Sequence, residues 1–239
     1  MVVVFRGSVT PRDFLMNGLF LRTMKNNPDE IKSFASNGTK IQSGFLEYLF
    51  GTKNGQVSKY QQIFRVLKEL YAYKDEASGR DYSEYELFIT GHSLGGALSQ
   101  LLAFVLAGSE ETNFLPTGKP VIAMTYASPE VGNSCYQETF TKLEKQKTLR
   151  HLRVTNDGDV VPFGYNFIAP FLDYKQTGVN IHLFENGLAS VERDRIFMSS
   201  VDPFTFIDMH DLYTYKSRLF NEENKVITSM NVEDFYCDF

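Results

Sequence analysis

Residues 86–100 read ELFITGHSLGGALSQ: a short apolar strand candidate at Leu87–Thr90, a glycine–serine–glycine corner, and a helix-forming run at Leu94–Ala107. This stretch constrains the fold more than any other. An apolar strand that enters a helix through so tight a corner fits a sheet buried beneath helices. Gly91, Gly95, Gly96 and Ala97 surround the turn, and glycines let a sharp corner form without Cβ clashes. Gly91-His92-Ser93-Leu94-Gly95 satisfies G-x-S-x-G, which is weak as a bare pentapeptide. Its context adds the specificity, because strand, corner and helix together lift the Ser93 hydroxyl above the sheet. The N–H groups opening the following helix point back at that hydroxyl and are suited to negative charge. The plain alternative is an ordinary helix-starting turn. A phosphate loop is not indicated, since no G-x-x-x-x-G-K-[ST] is present.

Further strand candidates are Val2–Phe5, Val121–Tyr126, Arg150–Thr155 and Val179–Phe184. Helical patterns lie between them. Val57–Tyr73 places Val57, Tyr60, Phe64, Leu67 and Tyr71 on one stripe, and Asn133–Lys145 follows the third strand. The alternation predicts an α/β fold with a mostly parallel central sheet and helices on both faces, its functional residues gathered at the carboxyl ends of the strands. Asn37-Gly38, Asn54-Gly55, Ser78-Gly79, Asp157-Gly158 and Asn186-Gly187 read as turns, none of them a linker, so residues 1–239 are expected to form a single domain. With 43% hydrophobic residues the chain can bury a sizeable core. Val2–Phe5 reads as a fully buried strand with nothing before it. Either the fold starts abruptly in its core, or upstream sequence belongs with it.

Several function classes lack a signal. A net charge of −5 gives no basic footprint for nucleic acid. Cys135 and Cys237 lie far apart, with no Cys/His metal spacing, and read as two free thiols. The most apolar helical run, Ala97–Ala107, contains Ser99 and Gln100 and falls short of the ~20 residues a bilayer requires. The opening MVVVFRG does not resemble a signal peptide.

A serine nucleophile needs a base and a group that orients it, here expected in the order Ser, Asp or Glu, His. Of the four histidines, His92 adjoins the serine, and its side chain is expected to point elsewhere. His151 and His182 lie inside strand-like runs and read as structural. His210, in FTFIDMHDLYTYKSRL where a loop leads into a helix, is the best-placed base. For the acid, TNDGDVVP ends the Arg150–Thr155 strand. Asp159 is favoured because an apolar pair follows it, and Asp157 stays open as an alternative. An oxyanion hole needs two N–H donors: Leu94 supplies one candidate, and Ser8, after the first strand's Gly7, the other. The plain alternative at Ser8 is a strand-ending turn.

Taken together, VVVFRGS, IQSGFLEY, LFITGHSLGGALSQLLA, MTYASPEVGN, NDGDVVP and MHDLYTYKSRL resemble the class-3 lipases, the fungal-type triacylglycerol lipases and their plant and algal relatives, from Val2 to about Leu219. The resemblance implies an α/β-hydrolase fold. It makes Ser93 the nucleophile, His210 the base, and Asp159 rather than Asp157 the acid. Leu94 and Ser8 become the oxyanion donors. Residues 9–20 fall where the family carries its lid, so Phe14, Leu15, Met16, Leu19 and Phe20 would cover the acyl groove; a core-packing helix is the rival reading. The implied activity is hydrolysis of lipid carboxylic esters, triacylglycerol first, with no metal or organic cofactor, at a lipid–water or membrane surface. Phospholipase A1 or galactolipase action is the alternative, and an inactive interaction domain the alternative of another class. Relatives usually carry sequence before the F-R-G-S strand, and without it Val2–Phe5 would be expected near an edge. Gln42 replaces the family's histidine before Gly-Phe, and Glu130 its arginine before Val-Gly-Asn. The family's secreted members carry disulfides with no counterpart here. Compartment follows the true start: cytoplasmic or peripheral on lipid if it is Met1, secreted or organellar if sequence precedes it.

Overall fold

The computed structural model describes residues 1–7, 24–52, 55–163, 173–186, 189–193 and 206–220. Among these residues the central sheet has six strands: β1 (Val2–Phe5), β2 (Leu87–His92), β3 (Val121–Tyr126), β4 (Leu149–Asn156), β5 (Val179–Leu183) and β6 (Ala189–Glu192). They lie side by side in chain order. The first five are parallel, and β6 returns antiparallel to β5. All five predicted strands are present, within two residues at each end. Helices α1 (Ser43–Phe50), α2 (Lys59–Ala72), α3 (Leu94–Gly108), α4 (Ser134–Lys145) and α5 (Leu212–Leu219) cover it.

Alternating residues of the strands sort the helices onto two faces. Val121, Ala123 and Leu149 belong to one core with Leu67 of α2, Leu98 and Leu102 of α3 and Phe140 of α4. Met124, Tyr126 and Val154 point the other way and pack with Tyr215 and Leu219 of α5. The mostly parallel sheet covered by helices is therefore present as expected.

Local chemistry explains the helices. A capping box opens α2: Gln61 N–H donates to Ser58 Oγ at 3.2 Å, and Ser58 N–H donates to Gln61 Oε1 at 3.1 Å. Tyr60, Leu67 and Tyr71 form its buried stripe, whereas Val57 precedes the helix and is exposed. Helix α3 is buried from Gly95 to Leu106. The two polar residues within that run have partners. Ser99 Oγ donates to Gly95 O at 2.7 Å, and Gln100 Nε2 donates to Thr177 Oγ1 at 2.8 Å. Among the described residues, no helix is long and apolar enough to cross a membrane.

One reading of the sequence needs correcting. Val2–Phe5 is not buried on both faces; among the described residues β1 is the sheet's edge strand, with Val2 64% and Val4 68% exposed while Val3 and Phe5 pack on the core. An apolar tetrapeptide has the same composition at an edge as at the centre. A second sheet that the sequence did not announce joins Tyr174–Lys175, Gly132–Asn133, Lys40–Gln42 and Met24–Asn26. Gln42 ends the Lys40–Gln42 strand and caps α1, its Oε1 accepting Phe45 N–H at 2.9 Å.

Candidate active site

Ser93 stands between the end of β2 and the start of α3 with φ 58° and ψ −124°. A positive φ in a residue bearing Cβ is strained and persists only where its surroundings impose it. Here the corner is pinned by main-chain bonds: Ser93 N–H donates to Tyr126 O at 2.9 Å, and Ser93 O accepts Gly96 N–H at 2.9 Å and Ala97 N–H at 3.2 Å. Two glycines make the close approach possible. A Cβ on Gly91 would lie 2.4 Å from Gly95 O, and one on Gly95 would lie 2.3 Å from Phe5 O. The strand end, the helix start and the end of β1 are thus packed backbone to backbone. Ser93 Oγ is buried and has no hydrogen-bond partner among the described residues. Leu94 is the first residue of α3, whose first-turn N–H groups lack intrahelical acceptors.

Beyond β4 the chain turns at Gly158, which has φ 85°, and Asp159 N–H donates to Asn156 O at 3.1 Å. This turn directs the Asp159 carboxylate into the interior. Its Oδ1 accepts Val161 N–H at 2.9 Å, and its Oδ2 accepts Tyr215 Oη–H at 2.6 Å. His210 Nδ1 lies 3.1 Å from Oδ1 and 3.0 Å from Oδ2. Asp159 and His210 are both buried. A carboxylate only accepts, so the hydrogen of His210 sits on Nδ1 and Nε2 is the nitrogen with a lone pair. His210 ends the short helix Phe206–His210, one residue before α5.

The other histidines and Asp157 are placed elsewhere. Asp157 Oδ1 lies 3.7 Å from His182 Nε2, while His182 Nδ1 meets Thr155 Oγ1 at 2.9 Å. Burial holds His182 below the usual imidazole range. His151 is enclosed between Thr125 Oγ1 at 2.9 Å and Thr177 Oγ1 at 3.0 Å. Burial, and then the Arg153 charge, hold it well below its ordinary value.

His92 departs from the expectation that its side chain points away. Its Nε2 lies 2.9 Å from His210 O, its ring centroid 4.8 Å from that of His210 and 5.8 Å from that of Tyr215. Sequence reading missed it, and Tyr215 and Asn156 as well. Asn156 N–H donates to Tyr215 Oη at 3.0 Å, and its Nδ2 donates to Met209 O at 3.1 Å. The only signal in the sequence is proximity: His92 adjoins Ser93, and Tyr215 stands five residues after His210.

Ser8 and the lid candidates Phe14, Leu15, Met16, Leu19 and Phe20 lie outside the described residues. Gly7 is described. A Cβ there would lie 2.8 Å from His92 O and 3.6 Å from Ser93 Cβ, so the chain passes the corner just before Ser8. Cys135 is a free thiol, and Cys237 lies outside the described residues. No group of three or more His, Cys, Asp or Glu among the described residues could hold a metal ion.

Residues 2–167 match the family described as Lipase (class 3). The chain is 33% identical over 163 residues to phospholipase A1-Igamma1, chloroplastic, of Arabidopsis thaliana, covering 66% of this chain and 30% of that protein. It is 32% identical over 187 residues to phospholipase A1-IIgamma of the same plant, covering 74% of this chain and 40% of that protein. The chain therefore spans well under half the length of these relatives. Among solved structures, Rhizomucor miehei triacylglyceride lipase aligns with a TM-score of 0.63 at 21% identity, covering 87% of this chain and 69% of that one. A triacylglycerol lipase from Penicillium expansum aligns at 0.58 and 22%, covering 82% and 64%. At such identities the likeness shows the fold, the α/β-hydrolase fold of these lipases.

Proposed function

The chain belongs to the class 3 lipases, and from that premise we propose that it is a serine hydrolase cleaving carboxylic esters of lipids, with Ser93, His210 and Asp159 as its catalytic residues. The observation that carries this reading is the buried contact of His210 Nδ1 with Asp159 Oδ2 at 3.0 Å, in a cluster joined through His92 to the strained corner at Ser93. That contact leaves His210 Nε2 as the nitrogen able to take a proton.

In the proposed cycle, His210 Nε2 takes the Ser93 proton as Oγ attacks the acyl carbonyl. Asp159 holds the ring in the tautomer this requires and stabilises the imidazolium. The tetrahedral oxyanion forms beside the start of α3, where Leu94 N–H donates to it; Ser8 N–H, next to Gly7, is the second donor. Each such donor is worth about 3–4 kcal/mol of barrier in comparable sites. His210 then protonates the leaving alcohol, and water attacks the acyl-enzyme by the reverse proton path. No step calls on a metal or organic cofactor.

The proposed substrate is a lipid ester met at a lipid–water or membrane surface, with residues 9–20 as the cover of the acyl groove. Triacylglycerol is one candidate class. Phospholipid is the second reading, favoured because the relatives named phospholipase A1 are 33% and 32% identical to this chain. Fatty-acid release from triacylglycerol, phospholipid and galactolipid, each followed across its aggregation point, separates the classes. A jump in rate at the interface supports lipase action with a mobile cover. No release from any of them contradicts the reading.

A further inference from the structure

We propose that His92 is a positioning residue that ties the main chain of the catalytic base to the strand carrying the nucleophile, through the bond between His92 Nε2–H and the carbonyl of His210. The inference rests on the hydrolase reading above and extends it to a residue outside the triad.

The two partners are 118 positions apart in sequence, and the bond between them is 2.9 Å long. A carbonyl only accepts, so the His92 proton sits on Nε2. His92 is the last residue of β2, a strand paired on both sides and anchored in the core. His210 stands on less framework, ending a helix of five residues. Its stretch is held from two sides. Asn156, from the strand that leads to Asp159, donates through Nδ2 to Met209 O at 3.1 Å. His92, from the strand that leads to Ser93, donates to the next carbonyl, that of His210. Successive carbonyls of the base's segment are thus fastened to the strands carrying the acid and the nucleophile. Three groups from distant parts of the chain are brought into register through these two side chains.

The environment keeps His92 suited to this role. Burial, and then the neighbouring His210 ring, hold its pKa down at about 4, against the smaller opposing pull of the His210 carbonyl, Asp159 and Asp211. It stays neutral while His210 alternates between neutral and charged, so the facing ring adds no second positive charge. His151 provides the contrast. It is more deeply buried, and both its ring nitrogens meet threonine hydroxyls rather than the base's segment.

The test uses His92→Leu, which removes the donor, His92→Gln, which keeps a neutral donor at similar reach, and His92→Asn, whose amide is too short. For each, the rate of labelling by a fluorophosphonate, kcat and KM on a soluble short-chain ester, and Tm are measured. Misplacing a reacting group by about 1 Å costs as much as 100-fold, so kcat is expected to fall about 10- to 100-fold in His92→Leu and His92→Asn, with KM within about twofold. His92→Gln is expected to recover to within about fivefold of wild type. A folded His92→Leu protein with wild-type kcat, or a folded His92→Gln protein as slow as His92→Leu, overturns the inference. Should His92→Leu not fold, the Gln and Asn variants decide it: equal rates overturn it. A wild-type protein that takes no label overturns the hydrolase reading first, and the role of His92 with it. A labelled wild type with an indifferent His92→Leu overturns the inference alone.

Discussion

Tyr215 Oη donates to Asp159 Oδ2 across 2.6 Å while accepting Asn156 N–H at 3.0 Å. One buried hydroxyl therefore joins α5 to the end of β4 and to the carboxylate that faces His210. Burial, and then the Asp159 charge, push the phenol well above its ordinary range, so it remains a donor at any working pH. With Val161 N–H on Oδ1, the carboxylate is oriented before any substrate arrives.

Tyr215→Phe removes that donor and strands Asn156 N–H. Hydrogen bonds to charged groups contribute about 1.5–3 kcal/mol, so stability is expected to fall by about 2 kcal/mol, and kcat about tenfold as Asp159 loosens. Thermal unfolding and steady-state rates measure the two effects. An unchanged kcat in a destabilised protein would assign the bond to folding alone.

The two aspartates of NDGD are expected to behave differently. Asp159→Asn replaces one acceptor oxygen facing His210 with a donor and removes the charge, so the tautomer is no longer fixed, a change that costs about 10⁴-fold in kcat in a comparable triad. Asp157 faces His182 instead, so Asp157→Asn is expected to keep kcat within about threefold and act on stability by less than about 1 kcal/mol. A loss of rate in Asp157→Asn matching that in Asp159→Asn would contradict the assignment.

Gly95→Ala tests the corner itself. The new methyl would meet Phe5 O at 2.3 Å and Phe5 C at 2.9 Å, both main-chain atoms that cannot rotate away. The expected cost is about 3 kcal/mol, at the upper end for overpacking. For a chain of this size that corresponds to a fall in Tm of about 6–12 °C. A Tm within 2 °C of wild type, roughly 1 kcal/mol or less, would show that β1 is not held against the corner.

Glu144 gives a pH dependence with a defined sign. Burial pushes its pKa up to about 7, despite Arg193 Nη1 at 3.5 Å pulling the other way. Between the unfolded value near 4.5 and that raised value, the folded protein binds more protons than the unfolded chain. Its stability contribution is therefore whole below about pH 4.5 and declines as pH rises to about 7, by an amount on the order of 2 kcal/mol. Glu144→Gln lacks this slope, so its Tm is expected to gain on wild type between pH 5 and 8, a window fixed by that linkage. A constant difference across the window would show that Glu144 does not titrate there.

What the sequence disclosed, and what it hid, follows from the range of each signal. Val121–Tyr126 is legible to the residue because Val121, Ile122, Thr125 and Tyr126 favour strands within one short apolar run, a local signal. The candidates Ser93 and Asp159 are legible because each follows a strand end with its own composition, although only the family resemblance separates Asp159 from Asp157; His210 is picked out by its place late in the chain, after the serine and the acid. The placement of β1 was not legible, because which neighbour an apolar strand pairs with depends on distant residues. His92 and Tyr215 were hidden for a related reason: their contacts span 118 and 56 positions. No local pattern records where a side chain points across such a separation. The second sheet escaped because strands of two or three residues carry too little alternation to read.

The central claim is that Ser93 is an activated nucleophile. The direct test is reaction of the wild-type protein with a fluorophosphonate probe, followed by mass mapping of the adduct, beside Ser93→Ala and His210→Ala. The account predicts one adduct on Ser93, none in Ser93→Ala, and labelling slowed by at least about 10³-fold in His210→Ala, where the base is gone. Undiminished labelling in Ser93→Ala, or an adduct mapped to another residue, would contradict it.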